Sequence, residues 1–91
     1  MQLTAKSELL LRVLYKEYLR RLDSGMIKSE SFSIGDIFYI RENLVSQLSQ
    51  ADVEKASDEL FKYNLIFKNL WGYIALKNEF LEFCENNYIK I

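Results

Sequence analysis

Apolar positions near the start of the chain recur at helical spacing. Leu10, Leu14, Tyr18 and Leu22 fall on one row, and Leu11, Tyr15, Leu19 and Leu22 on another beside it. Together they predict a first helix over about residues 5–23. Thr4 or Ser7 suits its start, and Ser24-Gly25 its end, since Gly25 is free to turn left-handed after the last turn. Met26 to Ser31 reads as a polar connection. Ser33 with Asp36 three residues on resembles a capping box, so a second helix is expected over about residues 33–43. Ile34, Ile37 and Phe38 share its face, and Arg41 would intrude on that face, which places the stop near Ile40–Asn43. Leu44, Val45 and Leu48 then fill a corner.

The pattern sharpens after residue 48. Ser49-Gln50-Ala51-Asp52 opens a third helix over about residues 50–63, with Val53, Ala56, Leu60 and Tyr63 as its apolar stripe, Phe61 widening it and Asn64 at its C-terminal cap. Leu65-Ile66-Phe67 and Tyr73-Ile74-Ala75-Leu76 are β-branched and aromatic runs on either side of Lys68-Asn69-Leu70-Trp71-Gly72. They predict a hairpin over about residues 65–76. A last helix over about residues 79–88 sets Phe80, Leu81, Phe83, Cys84 and Tyr88 on one face, with Glu82, Glu85 and Asn86 on the other. The fold class is therefore mainly α with a small β-hairpin, in the order helix, helix, helix, hairpin, helix, as one domain spanning residues 1–91.

This order is the plan of a winged helix-turn-helix. The stretch Ser49-Gln50-Ala51-Asp52-Val53, Leu60, Leu65-Ile66, Gly72-Tyr73-Ile74-Ala75-Leu76, Phe83 and Asn87-Tyr88 resembles small winged-helix proteins of bacteria and their phages, including the YjcQ-like group. Leu14-Tyr15-Lys16-Glu17-Tyr18-Leu19 through Ser24-Gly25 is similar to small bacterial winged-helix proteins as well. The matching positions are mostly apolar, so they specify fold more than function. The resemblance implies a small regulatory protein that binds duplex DNA, with the third helix entering the major groove and the wing beside it. The alternative is a winged-helix module that serves protein–protein interaction or assembly without DNA.

Composition narrows the chemistry. Apolar residues make up 49% of the 91 and charged residues 27%, which excludes a disordered chain. There is no His, one Cys and only three Gly. No general base of the commonest kind, thiolate metal site or glycine-rich phosphate loop is thus expected, and neither enzyme activity, cofactor nor metal. Cys84, among Phe80, Phe83 and Tyr88, reads as a buried thiol. No apolar run approaches the roughly 20 residues that cross a bilayer. Met1-Gln2-Leu3-Thr4 lacks a signal-peptide pattern, so the cytoplasm is the expected place.

The net charge of −1 hides a segregated pattern. On the third helix Asp52, Glu54, Asp58 and Glu59 outnumber Lys55 and Lys62 by two. Phosphate contact needs positive charge, and no Arg follows Glu42. The candidate contacts to nucleic acid or a partner are Ser49, Gln50, Lys55, Lys62, Lys68, Asn69 and Trp71. Trp71 reads either as an exposed anchor at the wing tip or as a ring folded back on Phe67 or Tyr73. Residues 1–23 carry five bases against three acids. Arg12, Lys16 and Arg20 form a basic row at i, i+4 and i+8, available to clamp a phosphate backbone, to meet an acidic partner, to lie beside Glu79, Glu82 and Glu85, or simply to be hydrated. Glu8 is placed for Arg12 and Glu17 for Arg21, whereas Lys16 and Arg20 have no acid four residues before them. Leu9 and Val13, with Leu10 and Leu14 between them and the main stripe, extend the apolar surface of the first helix past half its circumference. That surplus suggests a homodimer, with Leu9, Val13, Leu10 and Leu14 as its candidate surface.

Overall fold

Residues 2–87 are described by the computed structural model, which is mainly helical with a small antiparallel sheet. The first helix, α1 (Ala5–Asp23), starts where Thr4 Oγ1 accepts a hydrogen bond from the Ser7 amide and stops at Ser24, before Gly25 with φ +97°. A short helix, α2 (Lys28–Phe32), occupies much of the expected polar connection; the Phe32 ring packs on Tyr18 with centroids 5.4 Å apart. The expected helix over 33–43 divides. Its first three residues form strand β1 (Ser33–Gly35), and only α3 (Ile37–Asn43) is helical.

The division has a backbone cause. Gly35 has φ +141°, far from helical, and a Cβ there would lie 2.8 Å from Tyr39 Cδ2. Asp36 is consequently the N-cap of α3 rather than a residue of its first turn, and its carboxylate accepts from the Tyr39 amide at 2.8 Å. Strand β1 pairs instead across the sheet, with Ser33 opposite Ala75, Gly35 opposite Ile74 and a register shift between them.

Helix α4 (Gln50–Lys62) follows, with Ser49 as its N-cap. Asn64, just past its end, holds the left-handed φ of 62° that Asn tolerates better than most residues. Strands β2 (Ile66–Lys68) and β3 (Ile74–Leu76) form the hairpin and α5 (Asn78–Asn86) closes the described chain. The strand order is β1-β3-β2, so β1 completes a three-stranded sheet beyond the expected hairpin. Tyr88, expected on the last helix, lies outside the described residues.

One core joins these elements. Leu10, Leu11 and Leu14 of α1, Ile40 of α3, Val53 and Leu60 of α4, Ile74 of β3 and Phe80 of α5 are all fully buried. Leu10 and Leu14 have 0% exposure and offer no surface to a second subunit, while Leu9 and Val13 are partly buried against the same core. Much of the apolar breadth of α1 is met within the chain, by α2, α4 and the Phe80 ring of α5, although Leu22, expected on both apolar rows, is 36% exposed. Phe38 and Phe61, expected to face inward, are 58% and 52% exposed. Cys84 is 1% exposed, and burial first, then the charge of Glu85, pushes its thiol up to about 12. Among the described residues no helix is long and apolar enough to cross a membrane.

A charged latch fastens α1 to the sheet. Arg21 Nε donates to Glu17 Oε2 at 2.7 Å, Nη1 to the Ser33 carbonyl at 2.7 Å and Nη2 to the Ile34 carbonyl at 3.1 Å. Both side chains are buried, so the pair sits where unpaired charge is costly. Hydrogen bonds from Arg20 first and Arg21 next hold the Glu17 carboxyl below its ordinary range, against the opposing effect of burial.

Candidate docking surface on α4 and the hairpin

Helix α4 buries Val53, Ala56, Ser57 and Leu60 and turns the rest outward. Its acids do not share one outer face. Asp52 and Glu59, seven residues apart, point to the flank beside the start of α1. There Lys6 Nζ lies 2.9 Å from Asp52 Oδ1, and the Thr4 amide donates to Glu59 Oε1 at 2.9 Å. The Lys6 contact first, with Ser49, lowers the Asp52 carboxyl. The Thr4 amide is the main cause lowering Glu59.

Glu54 and Asp58 lie toward the other flank, beside β2. Lys68 Nζ bridges there to Asp58 Oδ1 at 2.6 Å and reaches the Glu54 carbonyl at 3.4 Å. Between the flanks runs an outer crest of Ala51, Lys55 and Lys62, with Asp58 at its border toward β2, every one exposed. Gln50 is exposed at its N-terminal end. With Lys6 and Lys68 counted, four bases face the four acids of this surface, which removes the excess of two negative charges that α4 carries alone.

The hairpin turn is tied down by one side chain. Asn69 Oδ1 accepts from the amides of Trp71 at 2.9 Å and Tyr73 at 3.0 Å. The Gly72 amide donates to the Asn69 carbonyl at 3.0 Å. Gly72 takes φ +79°, and a Cβ there would come within 3.0 Å of Ile37 Cγ1. This frame holds Leu70 and Trp71 outward at 100% and 86% exposure, so Trp71 does not fold back on its neighbours.

Of the seven candidate contacts, three have structural occupations. Ser49 caps α4, Lys68 is spent on Asp58 with its side chain 12% exposed, and Asn69 Oδ1 holds the turn. Gln50, Lys55, Lys62 and Trp71 stay open to solvent. Lys6 and Thr4 escaped sequence reasoning because their partners lie 46 and 55 residues away.

The basic row of α1 is largely answered from its own helix. Glu8 lies 2.9 Å from Arg12. Arg20, expected to lack an acid, forms a two-pronged pair with Glu17 at i−3, both bonds 2.8 Å. Lys16 is exposed and lines a shallow cleft of about 480 Å³ with Val13, Arg20, Asn43, Leu44 and Gln47. Helix α5 meets α1 through rings: Phe80 and Tyr15 pack edge to face with centroids 6.3 Å apart. Glu79 instead accepts from Asn64 Nδ2 at 3.3 Å. Searched against family models, curated proteins and solved structures, the chain matches none of them.

Proposed function

We propose that this chain is a winged helix, with α3 and α4 as its helix-turn-helix and the β2–β3 hairpin as its wing, and that it docks weakly on duplex DNA through the crest of α4. The element order and the β1-β3-β2 sheet support the fold. The observation that carries the function is the disposition of charge on α4. Asp52, Asp58 and Glu59 are held by Lys6, Lys68 and the Thr4 amide, while Lys55 and Lys62 are exposed, the Lys62 ammonium lying 5.8 Å from the centre of the Tyr63 ring. In this reading the N-terminal part of α4 enters the major groove. The Gln50 amide is then available to an adenine edge, and the two lysines contact phosphates.

Two lysine contacts set a modest scale. The affinity expected at moderate salt lies in the range of roughly 10⁻⁴–10⁻⁶ M typical of phosphate-led binding. Fluorescence anisotropy of a labelled duplex across a salt series measures it. The expected slope of log affinity against log salt is about −2, at about −0.9 per phosphate. Lys55→Gln reduces that slope by about 1. Absence of binding at the lowest salt rejects the DNA reading.

A second reading, a winged-helix assembly module that binds protein and no DNA, is favoured by the even balance of four bases and four acids on this surface. It retains the fold and predicts no salt-dependent duplex binding. In both readings the chain works inside the cytoplasm.

A further inference from the structure

The inward side chains of the hairpin, Ile66, Ile74 and Leu76, are at most 1% exposed. Its other face is a different surface. Phe67 pairs with Ala75 across the strands, and alternation puts Tyr73 and Lys77 on that same side. Phe67 is 57% exposed and Tyr73 42%, and the turn adds Leu70 and Trp71. We propose that this outer face of the wing is a two-fold interface on which a second copy of the chain docks.

Area supports that occupant. At about 150–250 Å² per aromatic side chain, the exposed parts of Phe67, Tyr73 and Trp71 with Leu70 amount to on the order of 500 Å². That exposed apolar area is at the upper end of what monomers display as one patch, about 300–600 Å². With the polar rim of Asn69 and Lys77 it approaches the roughly 800 Å² per partner of a standard interface. Charge supports it too. The ammonium of Lys77 rests 4.6 Å from the centre of the Phe67 ring, and the whole chain carries only −1, so two copies meet without strong repulsion. The same scarcity of cations argues against a phosphate backbone here. The Asn69 frame orders the turn beforehand, which lowers the entropy lost on docking.

The sheet packs its inner side against α4, where Lys68 meets Asp58, so the outer face and the α4 crest point in different directions. A wing-to-wing dimer therefore leaves Lys55 and Lys62 uncovered, and the proposal stands or falls independently of DNA binding. It places the apolar surplus on the wing, where the sequence pattern suggested α1.

Trp71 is the only Trp in the chain and so reports on its own surface. Sedimentation equilibrium and tryptophan fluorescence are followed from about 1 μM to about 1 mM protein, the range of weak association. The expected result is a two-fold rise in mass, accompanied by a blue shift and by protection from acrylamide. The Leu70→Ser/Trp71→Ser variant is expected to keep the monomer mass throughout, with an unchanged circular-dichroism melt showing that it folds. A wild type that stays monomeric with fully quenchable Trp71 overturns the proposal. So does a variant that dimerises as well as the wild type. A blue shift that appears only when a 20-base-pair duplex is added also overturns it, and assigns the tip to DNA.

Discussion

Replacing Arg21 by Ala tests whether the buried latch joins α1 to the sheet. Arg21 is 8% exposed and Glu17 5%. The substitution removes one bond to Glu17, two to the carbonyls of Ser33 and Ile34 and a longer one of 3.4 Å to the Tyr39 hydroxyl. Removing one partner of a buried ion pair costs about 3–5 kcal/mol. Glu17 keeps both bonds from Arg20, so its charge is not stranded, and the lower end of that range, about 3 kcal/mol, applies. For a domain of this size a loss of about 1 kcal/mol lowers Tm by roughly 4–8 °C, so the expected fall is roughly 12–24 °C. Arg20→Ala is the control. Its side chain is 63% exposed, and an exposed pair contributes no more than about 1 kcal/mol. Thermal melts followed by circular dichroism, with urea titrations for the free energy, compare the two. Equal and small effects from both substitutions would refute the latch.

The same carboxylate sets a pH dependence. Because the folded-state value of Glu17 is lowered, its contribution is present above the ordinary Glu value of 4.5 and is lost as pH falls below it. Urea midpoints measured from pH 7 to pH 3 should therefore fall on the acid side, and Glu17→Gln should flatten that fall. Leu60→Ala leaves a cavity where α4 meets the core and should cost about 2–5 kcal/mol by urea titration; a cost near zero would contradict its complete burial. Trp71→Ala should change stability by no more than about 0.5 kcal/mol, because the ring is 86% exposed. Cys84, with its thiol pushed up to about 12, should react with iodoacetamide only on unfolding; rapid alkylation of the native protein at pH 8 would show that the site is open.

The elements legible in the sequence are those with local causes. Ser49 caps α4, Leu60 lies in its apolar stripe, and the two β-rich runs around Asn69 pair as expected. Strand β1 was hidden because Ser33-Ile34-Gly35 is too short to show alternation and its partners, Ala75 and Ile74, lie some forty residues on. The Ser33/Asp36 spacing mimicked a helix start, while the real cap was Asp36 itself. Glu17 and Arg21 were placed together by spacing, but the reach of Arg21 to two carbonyls beyond residue 32 is a tertiary event with no local signature. Arg20 lacked an acid only under an i−4 rule, and Glu17 meets it at i−3. On the candidate surface, Lys55 and Lys62 are exposed. The acid-rich sum for α4 misled because charge was counted along one helix, whereas Lys6 and Lys68 arrive from elsewhere in the chain.

Amide chemical shifts show where, if anywhere, a duplex settles on the folded chain. A uniformly ¹⁵N-labelled sample is titrated with a 20-base-pair duplex at low salt. Docking through the α4 crest places the largest shifts on Gln50, Ala51, Lys55 and Lys62, with the amides of the α1 row at Arg12, Lys16 and Arg20 little changed. An unchanged spectrum, or shifts centred on that row, would contradict it.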